Sequence, residues 1–147
     1  MGFALPVVAM LVAGAAITLQ SLFSGTLGTR VGVMESTFIV HLGGLALAAV
    51  ILLFMRGGSL TSAAAWRSVP WYVYSAGFLG VLIVAAYSYG VPKLGLASAI
   101  TLGILVQLVL GAVLDHFGVL GTVQKSLDIY RGLGIVALLL GTWLIVR

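Results

Sequence analysis

The sequence predicts an all-α integral membrane protein with five transmembrane helices. Five long apolar stretches fill nearly the whole chain, only 7% of the residues are charged against 62% hydrophobic, and 20 of the 147 residues are glycine. A transmembrane helix needs about 20 mostly apolar residues to cross a hydrocarbon core of about 30 Å, and membrane helices tolerate glycine better than soluble ones do. Residues 1–147 therefore read as one transmembrane domain with almost nothing left for a soluble one. The net charge of +4 comes from Arg30, Arg56, Arg67, Lys93, Lys125, Arg131 and Arg147, scattered singly between apolar segments. That distribution marks membrane topology, not a nucleic-acid surface. With no cysteine and no asparagine, disulfides, thiol catalysis, cysteine metal sites and N-glycosylation are excluded. The opening Met1-Gly2-Phe3-Ala4-Leu5-Pro6 has no basic n-region, and Pro stands where a myristoylation signal wants Ser or Thr. The first segment is expected to be retained.

The first span is expected from about Phe3 to Phe23, with Pro6 tolerated in the opening turn, where its missing N–H costs no hydrogen bond. Gly25, Gly28 and Gly32 then read as a short turn around Arg30. The second span covers about Thr37 to Met55 and stops at Arg56-Gly57-Gly58, ahead of an amphipathic loop through Trp66, Arg67 and Pro70. The third, about Trp71 to Tyr89, opens on Pro70-Trp71-Tyr72-Val73-Tyr74, an aromatic cluster of the kind found at headgroup level, and closes at Gly90-Val91-Pro92-Lys93. The fourth, about Leu96 to Leu114, ends at Asp115-His116-Phe117-Gly118. The last, about Gly132 to Val146, would be roughly 22 Å long at 1.5 Å per residue. That is short, so it requires snorkelling by Arg131 and Arg147 or a thin bilayer.

Helices in lipid associate through small residues and hydrogen bonds, because water supplies no hydrophobic drive there. Every fourth residue of the fourth span gives Gly95, Ala99, Gly103, Gln107, Gly111 and Asp115, a small-residue stripe with one amide and a terminal carboxylate. The glycines and Ala99 read as helix-packing positions, as does Gly80 in the third span beside Ala76, Val84 and Ser88. Gln107 reads either as a bridge between helices or as a functional group, since an amide without partners in hydrocarbon costs several kcal/mol. The first span carries a weaker face of Ala9, Ala13, Ala16, Gln20 and Ser24. In the second, Thr37, His41, Gly44 and Ala48 share a side, and His41 sits inside an apolar run. It is either a neutral ring hydrogen-bonded to a neighbouring helix or a proton-coupling group. Glu35 favours the positive end of its helix dipole. Asp115, His116 and Arg131 read as boundary and capping residues, and Asp115 with His116 cannot complete a metal shell of three or four ligands. No phosphate loop, Ser/His/Asp set or paired intramembrane carboxylate appears, so neither enzyme, metal nor cofactor is expected.

Certain residues carry a resemblance: Leu19-Gln20 with Ser24, Pro70-Trp71-Tyr72 followed by Gly77 and Gly80, Pro92-Lys93-Leu94-Gly95, Gln107, Leu114-Asp115-His116-Phe117-Gly118, and Arg131-Gly132. Over essentially the full chain these resemble the YdcZ-type bacterial inner-membrane family of the drug/metabolite transporter superfamily, related to the small multidrug resistance exporters. The resemblance implies five-helix subunits of dual topology, or paired or fused copies, that assemble antiparallel. The chain departs from that pattern at Ser24, where Asn is expected, and at His41, where Phe is usual. It also lacks the first-helix carboxylate of the small multidrug exporters, for which Gln20 is the nearest polar stand-in.

The resulting expectation is a multi-pass transporter subunit of the bacterial inner (plasma) membrane, working by alternating access as an antiparallel homodimer. Its partners are membrane lipid, a second copy and a small polar or weakly charged solute or ion, with no nucleic acid. Gln20, Gln107, Ser24 and His41 are the candidates for the substrate path. Two alternatives stand beside it: a dimeric channel with a continuous polar pore, or the non-transporting half of a heteromeric membrane complex. Five spans put the termini on opposite sides, with Arg56, Arg67, Lys125 and Arg131 on the N-terminal side and Arg30, Lys93 and Arg147 on the other. Four against three gives almost no orientation bias. A reporter tag fused to either end is therefore expected on both faces of the membrane; one exclusive orientation ends the dual-insertion reading.

Overall fold

A computed structural model describes residues 4–56, 63–121 and 123–147. Phe3, Gly57 and Gly58, used above to bound two spans, lie outside the described residues. The helices are α1 (Ala4–Val31), α2 (Val33–Arg56), a short α3 (Ala63–Arg67), α4 (Ala76–Leu94), entered through a 3-10 turn at Trp71–Ser75, α5 (Leu96–Phe117) and α6 (Ile129–Val146). No strand occurs among the described residues. Five helices are long and apolar enough to cross a membrane. The chain divides into two compact units, Met1–Pro92 and Lys93–Arg147.

In the first unit the expected turn at Gly25 and Gly28 does not form, and α1 runs unbroken to Val31. At 28 residues it is about 42 Å long. Its break falls on Gly32 alone, at φ 107, where a side chain would strain the backbone and collide with the Glu35 carboxylate. Glu35 lies in the first turn of α2, at the positive end of its dipole. Gly25 and Gly28 serve instead as contact points for α4. A β-carbon on Gly25 would stand 2.9 Å from Val91 Cγ1, and one on Gly28 only 2.7 Å from the Ser88 carbonyl oxygen.

The third span also outruns its expected end. The stretch Gly90-Val91-Pro92-Lys93 is helical, and Pro92 lies inside α4. Lacking an N–H, Pro92 cannot donate to the carbonyl four residues back, which is Ser88. That freed carbonyl faces Gly28, so α1 covers a backbone group that α4 leaves unpaired. Ahead of α4, Trp66 and Tyr74 stack with centroids 6.2 Å apart and planes 9° from parallel. Tyr74 donates its hydroxyl to the Trp66 carbonyl at 2.6 Å, which fastens α3 to the entry of α4.

The second unit is a helical hairpin. Gly95, at φ 82, separates α4 from α5, and a β-carbon placed there would meet nothing within 4 Å. Gly118, at φ 60, ends α5 by donating to the carbonyls of Asp115 and Leu114. The last helix begins earlier than expected, because Asp128 caps it by accepting from the Arg131 amide at 2.8 Å. Its 18 residues span about 27 Å, longer than the roughly 22 Å read from the sequence.

Overpacking a tight contact typically costs about 1–3 kcal/mol, while alanine gains up to about 1 kcal/mol over glycine within a helix. Gly28→Ala is therefore expected to lower the thermal midpoint of detergent-solubilised protein, whereas Gly14→Ala and Gly43→Ala, which meet nothing within 4 Å, should leave it unchanged or raise it.

Candidate functional site

Three serines form the most enclosed feature of the first unit. Ser24, Ser36 and Ser88 are each exposed by 1% or less and come from α1, α2 and α4. Ser36 Oγ donates to the Ser24 carbonyl at 3.0 Å. With its only proton committed there, Ser36 must accept from Ser88 Oγ, 3.1 Å away. Hydroxyl spacing at 24, 36 and 88 thus becomes a polar seam through three apolar helices. Ser24 Oγ is buried with no partner. Ser21 and Thr37, also buried, satisfy themselves on carbonyls one turn back in their own helices, at 2.7 Å each.

His41 stands one turn along α2 from Thr37. Its Nδ1 lies 2.8 Å from the Thr37 carbonyl oxygen. A carbonyl can only accept, so Nδ1 is the donor in this bond and Nε2 is the ring nitrogen left over. That nitrogen faces α4 at Gly80, where a β-carbon would stand 3.3 Å from it. Gln20, by contrast, is exposed on α1 and has no hydrogen-bond partner among the described residues.

The second unit holds an open groove of about 430 Å³ between α5 and α6. Gln107, Gly111 and Asp115 line it from α5, and Arg131, Gly134 and Leu138 from α6, running antiparallel. Nothing approaches within 4 Å of a β-carbon at Gly111 or Gly134, so these glycines widen the groove instead of closing a contact. Gln107 is exposed along it. At one end Arg131 meets the Asp115 carboxylate at 3.5 Å and donates to the Lys125 carbonyl at 3.3 Å. The Lys125 amide returns to the Asp115 carbonyl at 3.0 Å, and the Leu127 amide donates to His116 Nδ1 at 3.2 Å. Asp115, His116 and Arg131 together tie down the connection from α5 to α6. No cluster of three metal-ligating side chains exists among the described residues.

A family model described as "Putative inner membrane exporter, YdcZ" matches residues 5–144. The chain belongs to the YdcZ family. No curated protein and no solved structure is found to match it. Membership in the YdcZ family makes this an inner-membrane protein and a transporter, in keeping with its five membrane-length helices.

In this YdcZ chain the four substrate-path candidates separate by environment. Gln20 and Gln107 are exposed, His41 is half-buried at a helix contact, and Ser24 is closed off in the serine seam. Ala99 is buried and Gly103 half-buried on α5. Ser36 and Ser88 did not stand out in the sequence as a joined pair. Their signal lay in α1, where Ser21, Ser24, Gly25 and Gly28 continue a small-residue face past the expected helix end.

Removing Ser36 takes the acceptor from the Ser88 hydroxyl and a second donor from the Ser24 carbonyl, which keeps its own helical bond, and a buried polar group left unsatisfied costs about 1–3 kcal/mol. Ser36→Ala leaves the Ser88 hydroxyl without that acceptor and is expected to destabilise the YdcZ protein by about 1 kcal/mol in a denaturation series, while Ser24→Ala, which removes a hydroxyl that has no partner, should be neutral or stabilising.

Proposed function

We propose that this chain is one half of an exporter and works as an antiparallel homodimer, two copies enclosing a central path that opens to alternate sides. The observation that carries the reading is Gln107: an amide exposed on the groove face of a membrane-length helix, with Asp115 and Arg131 further along the same groove lining. In hydrocarbon such a face must meet protein or water. Gln20 poses the same demand on α1. A second copy in inverted orientation answers it, and inverted repeats about a midplane site are a common basis of alternating access. The near-even charge count supports insertion both ways round.

In this mechanism the two subunits rock against one another. Gln107 and Gln20 hydrogen-bond a small polar or weakly charged solute, His41 lies beside the path, and Ser24 contributes when the seam around it opens. The open glycines of the groove, Gly111 and Gly134, leave room for sliding between helices. Neither amide carries a charge, which fits a solute recognised by hydrogen bonds better than one held by an ion pair. A binding screen on purified dimer followed by flux into liposomes identifies the solute. Gln107→Ala is then expected to abolish flux with the dimer intact by crosslinking; wild-type flux in that variant removes the central site.

A further inference from the structure

We propose that the groove between α5 and α6 binds an elongated zwitterion of no net charge, with ammonium and carboxylate side by side at one end, an apolar stem, and a hydrogen-bonding tip at the other. This names the solute class of the exporter reading. Its use in transport rests on that reading, but binding within one subunit does not. The groove offers about 430 Å³, within the roughly 300–1,000 Å³ common to small-molecule pockets. From Asp115 to Gln107 is eight residues of α5, about 12 Å along the axis. The site is polar at both ends and apolar between them.

At the outer end Asp115 and Arg131 form a loose pair, 3.5 Å apart and part-exposed. Asp115 commits only Oδ2 among the described residues, and Arg131 spends two of its five side-chain N–H groups, on that oxygen and on the Lys125 carbonyl. A guest with a single charge is drawn to one of these groups and repelled by the other. A zwitterion sets its carboxylate on Arg131 and its ammonium on Asp115, and both contacts attract. Leu108, Ala112, Ile135 and Leu138 supply apolar walls for the stem, and Gly111 and Gly134 leave it space.

The inner end holds the group that decides the tip. Thr142 continues the stripe of Arg131, Ile135 and Leu138 with which α6 lines the groove, one turn beyond Leu138. It is 4% exposed, and its hydroxyl has no partner. The threonines of the other helices satisfy themselves: Thr18, Thr26, Thr29, Thr37 and Thr101 each donate to a carbonyl three or four residues back. Thr142 does not. Across the hairpin, Gln107 makes no hydrogen bond among the described residues. Side chains on a helix lean toward its start, which carries the Gln107 amide toward the level of Thr142. An amide and a hydroxyl unmet at this depth call for a guest with a polar tip. A lipid chain fills the apolar middle and gives them nothing.

The test is equilibrium binding of radiolabelled Nε-acetyl-L-lysine to the full chain in nanodiscs. This probe has the zwitterionic head, a methylene stem and an amide tip. Wild type should bind it saturably, and should bind L-norleucine, which lacks the tip, and N-butylacetamide, which lacks the head, at least about tenfold more weakly. The preference for the acetylated probe over norleucine should fall toward one in Gln107→Leu and in Thr142→Val. The wild-type comparison stands alone if a variant fails to fold. Absence of saturable binding, equal binding of norleucine, or an unchanged preference in either folded variant overturns the proposal. So does a photoreactive group at Gly111 that crosslinks phospholipid or a second copy and is not displaced by the zwitterion. Binding as expected without flux into liposomes keeps this site and loses the exporter reading, whereas flux of another solute without zwitterion binding does the reverse.

Discussion

Ser36 joins three helices through one oxygen: it donates to the Ser24 carbonyl of α1 and receives the Ser88 hydroxyl of α4, at 3.0 and 3.1 Å. In water such bonds contribute little net stability because the unfolded chain finds equivalent partners. Within lipid no such substitute exists, so polar groups collect where helices meet. The rest of the first unit follows from this constraint. Gly25 and Gly28 lack side chains at the same crossing, and Pro92 frees a carbonyl that Gly28 then covers. Apolar burial has little part in it. The only buried apolar side chains among the described residues are Val84, Val91 and Ala99.

The five spans were legible in the sequence because hydropathy over some 20 residues is a strong signal and membrane length leaves few ways to misread it. Span ends were less so, and each error has a physical origin. Glycine reads as a turn in water, yet on a membrane helix it is a contact surface, which is why α1 was cut short at Phe23 and not at Val31. Proline reads as a stop, yet Pro92 lies within α4, where α1 covers the carbonyl it strands. Asp128 carries no such signal, because a lone acid in a polar loop resembles its neighbours until the amide it caps is in place. Of the candidate site, Gln20, Gln107 and His41 were legible as polar residues in apolar runs. The Ser24, Ser36 and Ser88 seam was not, since small hydroxyls are common in membrane helices and pairing across 12 and 52 residues has no periodic signature.

The two units divide the polar residues by kind. The first encloses neutral hydroxyls and one imidazole, all committed to neighbouring groups except Ser24 Oγ. The second leaves the Gln107 amide in an open groove and confines its ion pair to the connection between helices. A tight seam suits a part that moves as a rigid piece, and an open groove suits one that awaits a partner.

Gly32 alone links α1 to α2, and its amide and carbonyl are both absorbed into the flanking helices, at 3.2 and 3.0 Å. With no loop between the first two helices, any change in the angle between them has to be taken up at Gly32 itself.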